Sequence, residues 1–243
     1  SNGTGTVNSP TNVSGATYTA GAAESGTITL TLTTTDGCDV AATATKTIVV
    51  NANPTASNGG ATATAICQSV TSAAMGGSIG GGATAGTWTS NGAGTVNSPT
   101  NESGATYTAT AGESGTITLT LTTSGGSCGT TTATKTIVVN ANPTATAGAA
   151  LADMCQSATT VSMAGSVGGG ATSGTWTGGA GSWTNGTNES TATYTAGAAE
   201  SGVITLTLTT VGGSCGTDTD TKNVTVNANP TATAGAALAD MCQ

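Results

Sequence analysis

Three residue types that build many functional sites are missing from this sequence. It has no histidine, no arginine and no phenylalanine, and its only basic side chains are three lysines. Without histidine there is no imidazole base, no histidine metal ligand and no histidine-activated nucleophile. Aromatic residues make up 2% of the chain, so a core must consist of aliphatic side chains around a few rings. These absences predict a protein that is not an enzyme, with no catalytic residue, cofactor or metal.

The charge balance excludes further classes of partner. The net charge is −8, with 11 acidic residues, whereas binding to nucleic acid or to an anionic membrane surface requires a basic stripe or cluster. The sequence has no run of 18 apolar residues, and such a run is needed for a transmembrane helix. We therefore expect no nucleic-acid partner and no membrane insertion in this region.

One stretch dominates the sequence. ESGTITLTLTT occupies residues 24–34, returns at 113–123, and returns again as ESGVITLTLTT at 200–210. Its apolar residues alternate with threonines, a period of two that predicts a β-strand with one apolar and one threonine face. Such a strand cannot bury its apolar row alone, so it requires a second sheet packed on that face. We expect the Ile and Leu side chains of every copy to be buried.

The spacing of the copies predicts the domain organisation. Equivalent positions recur at intervals of 89 and 87 residues. A repeat of about 88 residues is close to the size of one immunoglobulin-like (Ig-like) sandwich. Boxes of sequence NANP close the copies at 51–54, 140–143 and 227–230, and their prolines cannot continue a central strand. The predicted domains are a partial repeat with the C-terminal strands at 1–53, full repeats at 54–142 and 143–229, and at 230–243 the start of a further repeat or a strand docking on the preceding one.

The repeat from residue 143 shows the predicted strand pattern. Short alternating segments separated by glycine clusters are typical of an antiparallel sandwich. The second strand is expected to place Val161 and Met163 on one face. Trp176 and its equivalent Trp88 are expected to pack against the sixth strand, and Trp183 to be more exposed. The predicted strands are a first strand lying within 145–155, then 160–167, 173–177, a short strand at Trp183, 191–195, 203–210 and 219–226. The predicted fold class is all-β, with tandem seven-stranded antiparallel Ig-like β-sandwiches.

A family resemblance lies in three strings of this repeat. They are CQSATTVSMAGSVGGGATSGTW, TATYTAGAAESGVITLTLTT and GGSCGTDTDTKNVTVNANP. They resemble the tandem PKD-like, Ig-like repeats of giant bacterial cell-surface proteins, including adhesins of gliding bacteria. The resemblance covers every repeat and implies a stalk, an adhesive tip or an accessory module. Because Ig-like folds host many functions, the function has to be argued from sites.

Near-identical repeats favour a structural role, since they suit an element selected for length and stiffness rather than for one unique site. The leading hypothesis is a structural repeat region of an extracellular, cell-surface filament or adhesin stalk, stiffened by disulfides and without catalysis. The alternative is an adhesive binding module that recognises a glycan or another surface through threonine-rich faces or loops. The expected partners are neighbouring repeats of the chain and other copies of it.

The six cysteines fall into two classes. One class lies in the turn between the last two strands of a repeat, and the other precedes the second strand and is always followed by Gln. Two cysteines per repeat, without C-x-x-C spacing or histidine, predict disulfides rather than zinc, and hence an oxidising compartment. The turn class is Cys38, Cys128 and Cys215, and the second class is Cys67, Cys155 and Cys242.

The disulfide connectivity is open at the level of sequence. Bonds within a repeat are Cys67–Cys128 and Cys155–Cys215. Bonds across each joint are Cys38–Cys67, Cys128–Cys155 and Cys215–Cys242. A third arrangement links Cys67 to Cys215 of the next repeat, end to end. Disulfides need Cα atoms within about 7 Å, and in an ordinary Ig topology the two cysteine-bearing turns lie at opposite ends of the sandwich, so pairing across the joint is the favoured interpretation.

Lysines and acids supply further candidates. Lys46, Lys135 and Lys222 are in phase with the buried face of the last strand, which predicts either a snorkelling lysine at the rim of the sandwich or an intramolecular Lys–Asn isopeptide bond. Asp218 and Asp220 could contribute to a calcium loop, but the second repeat has no acid there, which argues against a structural metal. Glu24, Glu113 and Glu200, in the loop before the sixth strand, are interpreted as solvated loop acids.

N-x-S/T sequences supply candidates for glycosylation. This pattern is an acceptor for N-glycans on exported surfaces, although a chain rich in Asn, Ser and Thr forms it by chance as well. Threonine-rich faces also admit O-glycans. The candidate asparagines are Asn12, Asn101, Asn185, Asn188 and Asn223.

Overall fold

Alternating apolar and threonine residues form β-strands along the whole described chain. The structure, a computed structural model, describes residues 1–35, 40–239 and 241, and none of these residues is helical. The chain divides into two compact units, Ser1–Val139 and Asn140–Gln243. Their boundary falls at the first residue of an NANP box. The prediction of an all-β chain built from tandem Ig-like sandwiches is confirmed.

The first unit starts with two antiparallel hairpins from the partial repeat. Strand β1 pairs with β2, and β3 pairs with β4. In the longer hairpin the Ile and Leu residues of β3 lie opposite Ile48, Lys46 and Ala44 of β4. The strands are β1 (Thr6–Asn8), β2 (Thr17–Thr19), β3 (Gly26–Thr33) and β4 (Thr43–Val50).

The first unit continues with the full second repeat. Its strands are β5 (Pro54–Ser57), β6 (Ile66–Cys67), β7 (Ser78–Gly81), β8 (Ala85–Ser90), β9 (Thr95–Asn97), β10 (Thr106–Thr108), β11 (Gly115–Ser124) and β12 (Thr132–Asn140). One sheet has the order β6-β12-β11-β8, and the pairs β5-β7 and β9-β10 form the other side of the sandwich.

The second unit contains the third repeat, which has the same arrangement. One sheet has the order β14-β20-β19-β16, and the pairs β13-β15 and β17-β18 complete the sandwich. The segment 173–177 was predicted as a strand and is observed with those bounds as β16. The strands are β13 (Thr144–Thr146), β14 (Met154–Cys155), β15 (Ser166–Gly168), β16 (Ser173–Thr177), β17 (Ser182–Thr184), β18 (Thr193–Thr195), β19 (Gly202–Val211) and β20 (Thr219–Asn227).

Each full repeat has its own hydrophobic core. Trp88 is paired with Leu121 on the neighbouring strand, and both side chains are buried. Trp176 is buried opposite Leu208 in the same way. These contacts confirm that Trp88 and Trp176 pack against the long central strands β11 and β19. Trp183 is only half-buried, as predicted, and stacks on Trp176 with ring centroids 6.1 Å apart.

The partial repeat departs from the predicted burial. Ile28 is buried, but Leu32 is 45% exposed, although its equivalents Leu121 and Leu208 are fully buried. The cause lies in the sheet: β3 pairs only with β4 in the described structure, whereas β11 pairs with β12 and also with β8. Without the neighbouring strand and its tryptophan, the outer end of the apolar row is left open to solvent.

The first two predicted strands of the third repeat are also corrected. Residues 145–155 do not form one strand: β13 pairs antiparallel with β15, and β14 pairs parallel with β20. The chain changes sheets between them near Gly148, which has a φ of 82°. Residues 160–167 are regular only at their end. Val161 is 76% exposed while Met163 is buried, since residues 160–165 form no regular strand and so do not alternate. Ala164, just before β15, adopts a left-handed φ of 50°.

Candidate functional site

The cysteine that precedes the second strand lies at the C-terminal end of its sandwich. In the third repeat Cys155 is the last residue of β14 and lies beside Asn227, the first residue of the NANP box, in a parallel pair. The next residue fixes this arrangement. The main-chain N–H of Gln156 donates to the Asn227 carbonyl at 3.1 Å, and its side-chain oxygen accepts from the N–H of Asn229 at 3.0 Å. The Cys-Gln pair therefore holds the joint that follows its own repeat.

The turn cysteine lies at the opposite end of the sandwich. Cys215 Sγ lies 3.6 Å from the carbonyl oxygen of Asn140, the first residue of the box that precedes the third repeat. In the second repeat, Cys128 Sγ lies 3.4 Å from the carbonyl oxygen of Asn51, at the corresponding position. The two cysteine classes thus mark the two ends of a repeat, each beside the leading asparagine of a joint.

The structure separates the cysteines by oxidation state. Cys67 and Cys215 are disulfide-bonded, whereas Cys128 and Cys155 carry free, exposed thiols. The favoured pair Cys128–Cys155 is therefore wrong, and so are the pairs Cys67–Cys128 and Cys155–Cys215 within a repeat. The residues Cys38 and Cys242, with the pairings predicted for them, lie outside the described residues.

Strand geometry explains why these bonds do not form. Cys155 and Cys215 lie near opposite ends of β20, which has 9 residues. At about 3.4 Å per residue this strand spans roughly 30 Å, far beyond the Cα separation of about 7 Å that a disulfide allows. Pairing across the joint required the residues after NANP to return along the preceding repeat. Instead they form β13 and β14 and pack on their own repeat.

A second recurrent site joins a tyrosine to a glutamate six residues further on. In the second repeat the Tyr107 hydroxyl donates to Glu113 Oε1 at 2.7 Å and accepts from the N–H of Gly94 at 2.9 Å. The same carboxylate accepts from the N–H of Ala93 at 2.8 Å and of Thr110 at 3.2 Å. We call this arrangement the Tyr–Glu clasp. It recurs as Tyr18–Glu24 and Tyr194–Glu200.

The clasp explains why the loop that it holds has a glycine at position 94. A Cβ at Gly94 would lie 2.3 Å from the carbonyl oxygen of Thr108 and 2.5 Å from the Tyr107 hydroxyl. The loop main chain can therefore approach the ring only without a side chain. The interpretation of Glu113 as a solvated loop acid is wrong, because the residue is buried. Its carboxylate accepts hydrogen bonds from main-chain N–H groups of a loop that folds over it.

The clasp shifts the titration of both partners. Burial opposes the charged form of Glu113, but hydrogen bonds from Tyr107 and from the main chain outweigh it, so the pKa of Glu113 lies below its usual 4.5. Burial and the hydrogen bond to Glu200 raise the pKa of Tyr194 to about 12. The clasp therefore needs an ionised glutamate and a neutral tyrosine.

The titration of the clasp predicts how stability depends on pH. The lowered glutamate pKa contributes stability that is present above about pH 4.5 and lost as the pH falls through the folded-state value. Glu113→Gln should remove this contribution and lower the stability of its repeat by about 1–3 kcal/mol at pH 7. Denaturant unfolding at pH 7 and pH 3 tests this. The gap between wild type and variant should shrink at pH 3, and an equal gap at both values would contradict the assignment.

The lysines of the full repeats are buried rather than snorkelling. Lys135 and Lys222 are 8% and 6% exposed, and each Nζ donates to a main-chain carbonyl at 2.5 Å, that of Met75 or Met163. Lys222 Nζ also lies 5.3 Å from the centre of the Trp176 ring, a cation–π distance. Burial lowers the pKa of Lys222, partly offset by the charge of Asp220. The isopeptide bond stays a prediction, and the loss of one ammonia per bond from the intact mass tests it.

A matched pair of lysines tests the role of this hydrogen bond. Lys135→Ala should leave the buried Met75 carbonyl without its donor and lower stability by about 1–3 kcal/mol. Lys46, the equivalent in the partial repeat, is exposed, so Lys46→Ala should leave the unfolding free energy nearly unchanged. Equal losses in the two variants, measured by denaturant unfolding, would refute the buried role.

The aspartates that were considered for calcium hold the edge of the sandwich instead. Asp218 Oδ2 accepts from the N–H of Ala145 at 2.9 Å, and Asp220 Oδ2 accepts from the N–H of Ala147 at 2.7 Å. These bonds attach the first strand of the third repeat to β20. In the described part of the chain, no group of three or more Cys, Asp or Glu side chains could hold a metal ion.

The candidate glycosylation sites are exposed. Asn12, Asn101 and Asn188 each accept, through Oδ1, a hydrogen bond from the hydroxyl of the serine two residues on, at 3.3, 3.5 and 3.1 Å. Asn185 lies in a turn with a φ of 54°, and Asn223 lies on the exposed face of β20. Their modification stays a prediction.

The threonines form a continuous face on the four-stranded sheet of the second repeat. Thr120 of β11 lies between Thr134 of β12 and Thr89 of β8, and the neighbouring threonines are paired in the same way. Thr134 and Thr89 are exposed, and Thr120 is half-buried. This surface presents hydroxyl and methyl groups at the spacing of the strands.

Comparisons with known proteins identify no family for this chain and find only distantly similar solved structures. No protein-family model matches the sequence, and no curated protein matches it. The chain is similar to cadherin domains 3–6 of protocadherin gamma B2, with 12% identity, a TM-score of 0.42, and coverage of 79% of this chain and 56% of that one. It is similar to the insect immune protein hemolin, with 11% identity, a TM-score of 0.42, and coverage of 83% and 56%. This chain therefore spans about half the length of those structures. No described helix is long and apolar enough to cross a membrane.

Proposed function

We propose that this chain is a structural repeat region of an extracellular surface filament or stalk, with disulfides that strengthen it. One observation carries the proposal: each full repeat owns a separate core, and the third repeat places its two cysteines at opposite ends, beside the joints. Cross-links at the ends of a module act on the connection between modules. A stalk or filament that bears tension needs cross-links at the connections between its modules. A single binding or catalytic site does not need them.

The bonded cysteines support an oxidising location. Cys67 and Cys215 are disulfide-bonded, and disulfides persist outside the cytosol. The polar side chains that the structure brings together also fit a structural role, because the Tyr–Glu clasp, the buried lysines and the two aspartates all bind main-chain groups of their own repeat. They fix loops and strand edges in place.

Surface labelling tests the location and the form together. An antibody against the repeats is applied to intact cells and to permeabilised cells of the source organism, with detection by gold particles in electron microscopy. We expect labelled filaments or stalks on intact cells. Labelling that depends on permeabilisation would contradict the proposal.

The threonine face supports adhesive binding as a second function. Exposed hydroxyl and methyl groups at fixed spacing can contact a glycan or another regular surface. The double substitution Thr134→Lys and Thr89→Lys would place two charges on this face without touching the core. If the face binds a glycan, glycan-array signals should be lost in this variant, and unchanged signals would exclude the face as the binding surface.

A further inference from the structure

We infer that Cys155 is the open half of an end-to-end disulfide and accepts the turn cysteine of a repeat that follows the box at residues 227–230. This inference rests on the proposed function, because it names the chemistry that would connect one repeat to the next.

The first step is the convergence of two cysteine classes on one residue. Cys155 is paired with Asn227, at the C-terminal end of the third repeat. Turn cysteines lie against the leading asparagine of the box that opens their own repeat: Cys128 at 3.4 Å from Asn51 O and Cys215 at 3.6 Å from Asn140 O. A repeat that opened at Asn227 in the same way would bring its turn sulfur to the residue that Cys155 already flanks.

The second step is that both classes are shown to form disulfides. Cys67 is the repeat equivalent of Cys155, and Cys215 is the equivalent of Cys128. Both equivalents are bonded, while Cys155 and Cys128 are free and exposed. Among the described residues, each class therefore has one bonded and one open member, so the environment of each class supports a disulfide when a partner is in place.

The third step is that the chain after Asn227 has the sequence that opens a repeat. Residues 230–243 repeat residues 143–156 without a single change. In the third repeat that segment leads from the box into β13 and β14. The joint itself is held by Gln156, whose contacts with Asn227 and Asn229 fix the box relative to Cys155. The position at which a following repeat starts is thereby defined.

The bond forms by thiol–disulfide exchange with a small disulfide oxidant such as glutathione disulfide. The Cys155 thiolate attacks the oxidant, forming a mixed disulfide and releasing one glutathione thiolate. The thiolate of the incoming turn cysteine then attacks the Cys155 sulfur and releases the second glutathione thiolate. Two cysteine thiols are oxidised, one glutathione disulfide is reduced, and the two protons end on the released glutathiones.

The test adds one repeat to the full chain. A second copy of residues 143–229 is inserted after Asn229, with Val211→Ile in that copy as a mass marker and Cys155→Ser in that copy to leave one acceptor. The protein is equilibrated in a glutathione redox buffer, alkylated, digested without reduction and mapped by mass spectrometry. We expect the original Cys155 peptide linked to the marked turn peptide, with at least about a tenfold loss of Cys155 alkylation relative to the 243-residue chain, because a disulfide removes the reactive thiolate.

The control carries Cys215→Ser in the inserted copy only, and its Cys155 should be alkylated as fully as in the original chain. Circular dichroism and the persistence of bonded Cys67 and Cys215 establish that both proteins are folded. Full alkylation of Cys155 in the extended chain, or its linkage to Cys128, would overturn the inference. The proposed function is tested separately by labelling of cells, so either idea can fail while the other stands.

Discussion

Leu121→Ala should destabilise the second repeat by about 2–5 kcal/mol, the cost of removing a leucine side chain from a closed core. Leu121 is fully buried and lies opposite Trp88 on one side and Ala133 on the other. Three strands enclose it, so the void cannot be filled by a small shift of one neighbour. A repeat with a stability margin typical of small domains would lose a large part of it.

The chain contains its own control for this substitution. Leu32 occupies the same register in the partial repeat but is 45% exposed, so Leu32→Ala should cost well under half as much. Guanidinium unfolding followed by tryptophan emission reports on the second repeat through Trp88, which is buried in the same core. Equal shifts of the midpoint in the two variants would show that the difference in burial between the repeats is wrong.

Cys215→Ser should lower the stability of the third repeat by about 2–5 kcal/mol, the usual cost of losing a native disulfide in a small domain. Cys215 is bonded, whereas its repeat equivalent Cys128 is a free, exposed thiol. Cys128→Ser should therefore leave the melting temperature unchanged under oxidising conditions. The two substitutions are chemically identical and fall at the same position of the repeat.

Reducing agent separates the disulfide from other effects of the serine. In the presence of a thiol reductant, the third repeat of the wild type should melt at the temperature of the third repeat of the Cys215→Ser variant. A Cys128→Ser variant that is as unstable as Cys215→Ser would contradict the assignment of bonded and free cysteines.

The strand pattern was predictable because the long central strands have a clear alternating sequence. The alternation of Ile and Leu with Thr fixes which side chains face inward, and β11 and β19 follow it. The open end of β3 could not be foreseen, since the burial of Leu32 depends on a neighbouring strand rather than on its own sequence. The course of residues 145–155 could not be predicted either, because a change of the chain from one sheet to the other leaves no periodic signal in the sequence.

The Tyr–Glu clasp carried a signal that the sequence interpretation overlooked. A glutamate follows a tyrosine at the same offset in all three copies, as in Tyr107 and Glu113. A solvated acid has no reason to keep that spacing. The buried lysine was recognised as lying on the inner face, but the carbonyl of Met75 that receives it comes from a distant loop. The placement of the two cysteine classes at opposite ends of a sandwich was predictable. The pairing was not, because the sequence does not show that the residues after the NANP box pack on their own repeat.

Thiol mapping of the native chain tests the placement of the cysteines most directly. The protein is alkylated without reduction, digested and analysed by mass spectrometry. We predict alkylation of Cys128 and Cys155 and none of Cys67 and Cys215, since the former are free thiols and the latter are bonded. Cross-linked peptides that join Cys67 to Cys128, or Cys155 to Cys215, would place the bonds within repeats and contradict the central claim that the cysteines mark opposite ends and serve the joints.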